Sequence, residues 1–188
     1  MSGRPRLRRF ALTAHIISSV GWLGAIVVFL ALSVVGVTSN EPPVVRAAYL
    51  AMESIGWFVL VPLSVASLLT GVAQSLGTKW GLFRHYWVLM KLTINVLATI
   101  VLVMYMQTLS SFADIAAQPA AVAGDVDGLT SPSPLVHAAV ALLLLVVAVV
   151  LSVYKPPGMT RYGQRKQDER RATQADPGAR TRRRHLAR

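Results

Sequence analysis

Residues 135–154 read LVHAAVALLLLVVAVVLSVY, an Ala/Leu/Val run in which His137, near its start, is the one histidine and no Asp, Glu, Lys or Arg occurs. About 20 mostly apolar residues are what a helix needs to cross about 30 Å of hydrocarbon. The run lacks the period-two alternation of a barrel strand, and lipid accepts only helices or closed barrels. It therefore predicts a transmembrane helix, and three more such stretches precede it. The first covers about 11–37 and holds only His15 as an ionisable group; the second covers about 48–76 and contains Glu53 and Pro62. The third, about 86–109, carries Lys91. The composition agrees: 54% of the 188 residues are hydrophobic and 14% charged, where a soluble domain would have about a quarter charged. A chain this short leaves too much surface exposed to hide that excess in one core. The predicted fold class is all-α, an integral membrane four-helix bundle with lipid as its main solvent. With no cysteine, disulfides, thiolate metal sites and cysteine nucleophiles are excluded.

Charge gives the orientation. Arg4, Arg6, Arg8 and Arg9 precede the first span, and Glu41 and Arg46 cancel in the first loop. Lys79 and Arg84 make the second loop positive, and Asp114, Asp125 and Asp127 make the third negative. Eleven basic and three acidic residues follow Tyr154. All positive segments share one side if both termini and the second loop are cytoplasmic, which predicts a multi-pass protein with both termini inside. Trp80, Trp87 and His85 read as interfacial residues.

Arg8-Arg9-Phe10 before an apolar run faintly resembles a twin-arginine leader. The run is far longer than a signal h-region and lacks a small-x-small cleavage site, so a retained first helix is expected. The chain divides into a transmembrane domain, 1–155, and a tail, 156–188. Pro156-Pro157-Gly158 ends the fourth helix, and the polar, Arg-rich sequence beyond predicts a disordered tail lying against anionic lipid. Nucleic acid is the weaker reading for this charge, because the tail has few aromatics and no folded motif. The third loop, about 110–134, is acidic, rich in small residues and punctuated by Pro119, Pro132 and Pro134, and reads as an irregular external spacer.

A charged side chain inside a membrane costs about 2.5–3.5 kcal/mol on insertion scales. Glu53 and Lys91 must therefore have partners or tasks. Counting from the helix ends, His15 and Lys91 share one depth near the cytoplasmic face, while Glu53 and His137 share another near the outer face. At helical spacing His15, Ser18, Ser19 and Trp22 fall on one side of the first helix. Lys91, Asn95, Thr99, Leu102 and Met106 do so on the third, and Glu53, Trp57, Leu60, Ser64, Ser67 and Gly71 on the second. Such polar stripes face a bundle interior. The plain alternatives are that Lys91 snorkels to the interface, that His15 is a neutral histidine bonded to a hydroxyl or carbonyl, that Glu53 is hydrated or protonated, and that His137 is interfacial. The functional alternative is that His15 and a second ligand hold a haem iron or a metal between facing helices. No HxH, HExxH, Glu-x-x-His, P-loop or GxGxxG pattern occurs.

LTAHIISSVGWLGAIVVFL on the first helix, MESIGW before VPLSVASLLTG on the second, and HYWVLMKLTINV on the third resemble a group of bacterial four-helix membrane proteins. That group includes HemJ-type protoporphyrinogen oxidase and the membrane domain of copper-resistance protein D, together with many uncharacterised members, among which this chain fits best. The similarity spans about residues 10–110. It implies haem b on the first-helix histidine, His15, with Lys91 in the active centre as second ligand, catalytic group or propionate partner; Trp22 and Gly24 match the Trp-x-Gly of the group. Asn95, on the Lys91 face, is a supporting group. The chain departs from the oxidases where Val88-Leu89-Met90 replaces a histidine before the lysine, and it lacks the clustered methionines of copper sites. The expected function is a small membrane protein with a haem-b-type redox site between helices one and three, and whether it is an enzyme stays open. The alternatives are transport or copper handling along a polar path, and a non-catalytic scaffold with a lipid- or partner-binding basic tail.

Overall fold

The computed structural model describes residues 5–77, 82–118, 129, 131–154 and 156–175. They form α1 (Pro5–Thr38), α2 (Pro42–Ile55), a π-helical turn (Gly56–Leu60), α3 (Val61–Gly77), α4 (Tyr86–Ala117), α5 (Ser133–Tyr154) and α6 (Arg161–Ala175). The second span is the continuous rod from α2 to α3. Among the described residues no strand occurs, and four helical segments are long and apolar enough to cross a membrane. The chain is an all-α, multi-pass four-helix membrane bundle. Each span packs on its neighbours in sequence and the fourth returns to α1, while α1 and α4 face each other across the centre. We call the end where α1 starts and α5 finishes the lower end.

The spans exceed the lengths predicted from hydropathy. Pro42 and Pro43 occupy the first helical turn of α2, where a missing N–H costs nothing, so that rod starts six residues early. α4 runs to Ala117, beyond the expected end near 109. There Arg46 donates to the carbonyls of Ala116, at 3.4 Å, and of Gln118. A cation at a helix C-terminus satisfies orphan carbonyls and complements the dipole. The expected disorder from 156 also differs from what is seen, since α6 is helical. Its start is fastened to the second loop. Thr160 donates its N–H to Arg84 O at 3.0 Å and its hydroxyl to Phe83 O at 2.5 Å, and His85 and Met159 form an isolated antiparallel bridge. Trp80 and the acidic Asp125 and Asp127 lie outside the described residues.

Burial follows a stripe on each rod. α1 turns Ser18, Trp22, Ile26, Phe29 and Ser33 inward, and α4 turns Val88, Asn95, Thr99, Met106 and Leu109 inward. Both agree with the faces read from spacing. The second span agrees only from Leu60 onward: Leu60, Ser64 and Ser67 of the expected face are buried, and Met52 and Gly56 are buried with them, whereas Trp57 is 42% exposed and donates to Ser110 Oγ at 3.2 Å. Inward residues four apart drift by about 40° per step on a helix of 3.6 residues per turn. The π turn at Gly56–Leu60 absorbs that drift and rotates Glu53 and Trp57 off the expected face. Because lipid is as apolar as leucine, packing and interhelical hydrogen bonds hold these rods together. Gly56 is the closest approach: a Cβ there would lie 2.5 Å from Met106 Sδ.

Candidate functional site

His15 is the best-anchored polar group inside the bundle. The lower half of α3 presents Ser67, Thr70, Gly71 and Gln74 to α1. His15 Nδ1 lies 3.2 Å from Ser67 O and 3.1 Å from Thr70 Oγ1. A carbonyl only accepts, and the Thr70 hydroxyl is itself donated to Ala66 O at 2.6 Å, so Nδ1 carries the proton. This leaves the Nε2 lone pair open, and Nε2 has no hydrogen-bond partner among the described residues. One ring nitrogen bonded to a backbone carbonyl is how proteins fix the tautomer and aim of a ligating imidazole. Above the ring, Ser19 and Ser67 hydroxyls meet at 2.8 Å; below it, Gln74 Nε2 donates to Ala11 O at 3.0 Å. Gly71 supplies the space for the ring, because a Cβ there would lie 3.2 Å from Cε1.

Two adjoining cavities of about 430 and 190 Å³ flank His15, and Lys91, Asn95 and Ser152 line both. The two side chains matched in depth by the sequence, His15 and Lys91, thus share one interior space from opposite sides of the bundle. Lys91 does not snorkel freely: its ammonium donates to Ser152 Oγ at 2.6 Å. The backbone carbonyl of Ala148 accepts the Ser152 hydroxyl at 2.9 Å. The Asn95 side chain, largely buried, lines both cavities. Trp22 is farther up. It lines the smaller of these cavities and also a separate apolar one, and its buried indole N–H has no acceptor among the described residues.

The depth argument puts Glu53 and His137 at one level near the outer face, and none of these cavities brings the two together. His137 is half-exposed, with Nδ1 donating to Ser133 O at 2.9 Å, and its ring stacks on Tyr105 with centroids 4.0 Å apart and planes 19° apart. Glu53, half-buried on the rotated face of α2, lines none of these cavities. Spacing gave no warning of Tyr49 and Tyr105, which organise the upper end. Tyr49 donates its hydroxyl to Leu129 O and packs edge-on to Phe112 at 5.6 Å. Tyr105 donates to Ser133 Oγ at 3.2 Å. Their signal was an aromatic with a polar tip inside an apolar run, a type that needs a partner when buried.

Polar groups therefore form two layers. Between them lie Trp22, Ile26, Phe29, Leu60 and Met106, all buried. Among the described residues no three His, Asp or Glu side chains gather as a metal-ion cage. The lower layer offers one oriented imidazole, one amine and one amide around a common space. A bare metal ion is held by three or more His, Cys, Asp or Glu side chains, and among the residues lining these two cavities His15 is the one of those types. A porphyrin iron brings its ring nitrogens with it and asks only for axial ligands, a role for which an imidazole with one nitrogen fixed and the other unbonded is chemically suited. Comparison with protein-family models, with curated proteins and with solved structures finds no match for this chain.

Proposed function

We propose that this is a bacterial cytoplasmic-membrane protein carrying a haem-b-type redox centre in the lower, cytoplasmic half of its bundle. The observation that carries this reading is His15, whose Nδ1 is tied to Ser67 O while Nε2 is left open beside Lys91. His15 would hold the group through Nε2. Ser67 and Thr70 hold the imidazole in the ligating tautomer, and the α3 backbone at Gly71 backs the ring. Lys91, drawn toward α5 by Ser152, would help hold the group, as a second ligand or as the cation that pairs its carboxylates. Asn95 donates or accepts at the cavity wall, and Trp22 closes its roof. Bound there, haem supplies a one-electron carrier; the surrounding helices exclude bulk water from it. The resemblance in the Trp-x-Gly helix and the third-span lysine supports the same assignment.

Transport or copper handling is less well supported, because the apolar layer at Trp22, Phe29 and Met106 separates the two polar layers. The basic side chains of α6 are assigned to the anionic leaflet, each worth about 1 kcal/mol near such a surface.

The test is an absorption spectrum of the purified full chain, as isolated and after dithionite, from cells grown with added haem. A Soret band that moves on reduction in the wild type and is lost in His15→Ala is expected. A featureless wild-type spectrum, or a band unchanged in His15→Ala, overturns the reading.

A further inference from the structure

The smaller of the two lower cavities has a side entrance. Ile16 and Val20 of α1 and Val149 and Val153 of α5 line it, and all four are about half-exposed or more. Its mouth therefore lies between α1 and α5, toward the hydrocarbon of the lower leaflet. The slot is apolar along its height, from Val153 up to Leu145 and Trp22. At its foot it adjoins the larger cavity, to which Gln74, Ser75 and Asn95 add amide and hydroxyl groups. An apolar slot thus ends on a polar chamber.

Lys91 stands where the two meet, and it is the one Asp, Glu, Lys or Arg that lines either cavity. Among the described residues it makes no ion pair. Its hydrogen-bond partner, Ser152 Oγ at 2.6 Å, does not neutralise it, because the hydroxyl is uncharged and its own proton goes to Ala148 O. The carbonyl end of α5 supplies about half a negative charge, which leaves the rest of the ammonium charge unmet. An ammonium has three N–H donors, and Ser152 takes one. Ionisable groups inside a membrane pair with one another or mark the path of a ligand. What this one lacks is an anion.

Depth selects the anion. α5 has 22 residues, Ser133–Tyr154, so it is about 33 Å long and its ends mark the edges of a hydrocarbon core about 30 Å thick. Ser152 is two residues from the lower end, about 3 Å inside that edge. The Lys91 ammonium bonded to it therefore sits at the edge of the hydrocarbon. Phospholipid phosphates lie farther out, in a headgroup layer of about 5–7 Å on each side. A carboxylate carried directly on an acyl chain sits at the edge itself. We propose that the lower cavities bind a long-chain fatty acid as its carboxylate, entering between α1 and α5, with the carboxylate on Lys91 and the chain rising toward Trp22. The proposal does not rest on the haem reading, since it uses Lys91 and the slot and asks nothing of His15 Nε2.

The experiment uses the full chain in phosphatidylcholine nanodiscs, from cells grown without added haem, with Trp22 as the one tryptophan and the other three replaced by Phe. The probes are stearate brominated at mid-chain and its methyl ester, which has the same chain and no charge, at a mildly alkaline pH that ionises the acid. Saturable quenching of Trp22 by the acid is expected, at concentrations at least tenfold below those the ester needs. Lys91→Met is expected to erase that difference, and filling the slot with Ala148→Leu to weaken the acid at least tenfold. Equal quenching by acid and ester overturns the proposal, a comparison that depends on neither variant folding. A preference for the acid that survives in Lys91→Met assigns it to the arginines at the lower end and also overturns it. So does acid binding that Ala148→Leu leaves unchanged. A second arm uses phosphatidylglycerol with brominated acyl chains. Saturable quenching by this lipid that excess plain stearate does not relieve assigns the slot to a phospholipid and overturns the proposal too.

Discussion

Replacing Gly56 by Ala tests the closest contact between the second and third spans. Gly56 has ordinary right-handed helical angles, φ −57° and ψ −57°, so alanine meets no backbone objection. In isolation the change favours the helix by about 0.8–1.0 kcal/mol. Against that, the new Cβ would lie 2.5 Å from Sδ and 2.6 Å from Cε of Met106, where non-bonded heavy atoms prefer about 3.5–4.0 Å. Met106 is fully buried and has Leu109 beside it, also at 0% exposure, so the thioether cannot swing into lipid. Overpacking of this kind costs about 1–3 kcal/mol, leaving a net loss of up to about 2 kcal/mol. In a Met106→Ala background the obstructing atoms are gone and the propensity gain stands alone. Gly56→Ala should then stabilise by up to about 1 kcal/mol. The assay is reversible unfolding in mixed micelles with rising SDS, followed by circular dichroism, for all four members of the double-mutant cycle. A coupling of about 1–3 kcal/mol is expected. Equal effects of Gly56→Ala in both backgrounds would refute the close approach and, with it, the inward face that the π turn creates.

Three further outcomes are expected. Tyr49→Phe removes the hydroxyl that Leu129 O accepts, and should cost about 1–3 kcal/mol in the same unfolding assay; no measurable loss would mean that this bond is not formed. Thr70→Val takes away one of the two acceptors of His15 Nδ1 at nearly constant shape. Haem affinity, measured by titrating hemin into the apo-protein, should fall about 10-fold or more, and unchanged affinity would detach Thr70 from the site. Gly163→Ala would set a Cβ 2.5 Å from the Arg84 carbonyl oxygen, a backbone atom with no room to turn. The start of α6 should then undock, and the amide protons of Tyr86 and Thr160, bonded to Gly158 O and Arg84 O, should exchange at least tenfold faster; unchanged exchange would refute the docking.

The two halves of the lower site were unequally legible. His15 and Lys91 could be matched in depth from their positions in two parallel spans, since rise per residue is fixed along a helix. That they share a cavity follows from α1 and α4 facing each other across the bundle, which no spacing encodes. The partner of Lys91 lies 61 residues away at Ser152, and the partners of His15 at Ser67 and Thr70 are 52 and 55 residues away. Serine and threonine are common enough in membrane helices that the sequence could not single these out. The Trp22 donor shows the reverse: the residue stood out in a motif, but only packing reveals that its N–H is buried with no acceptor among the described residues.

Hydropathy by itself determined the four spans, the all-α class and the inward faces of α1 and α4, because crossing lipid demands long apolar helices and a regular helix repeats its faces without outside help. Tertiary structure decided which residues of the second span face inward ahead of Leu60, where Met52 and Gly56 replace the expected Glu53 and Trp57. There the inward residues step by four, a strict 3.6-residue repeat cannot keep them aligned, and the π turn at Gly56–Leu60 forms to keep Met52, Gly56, Leu60 and Ser64 against α1 and α4. The same packing carried α4 on to Ala117, where Arg46 from α2 supplies the cap. It also gave the basic segment after the fourth span a place to start, since Thr160 finds the carbonyls of Phe83 and Arg84 only when the second loop and the end of α5 meet. Local pattern is a property of one helix at a time; these features depend on groups from two helices satisfying each other.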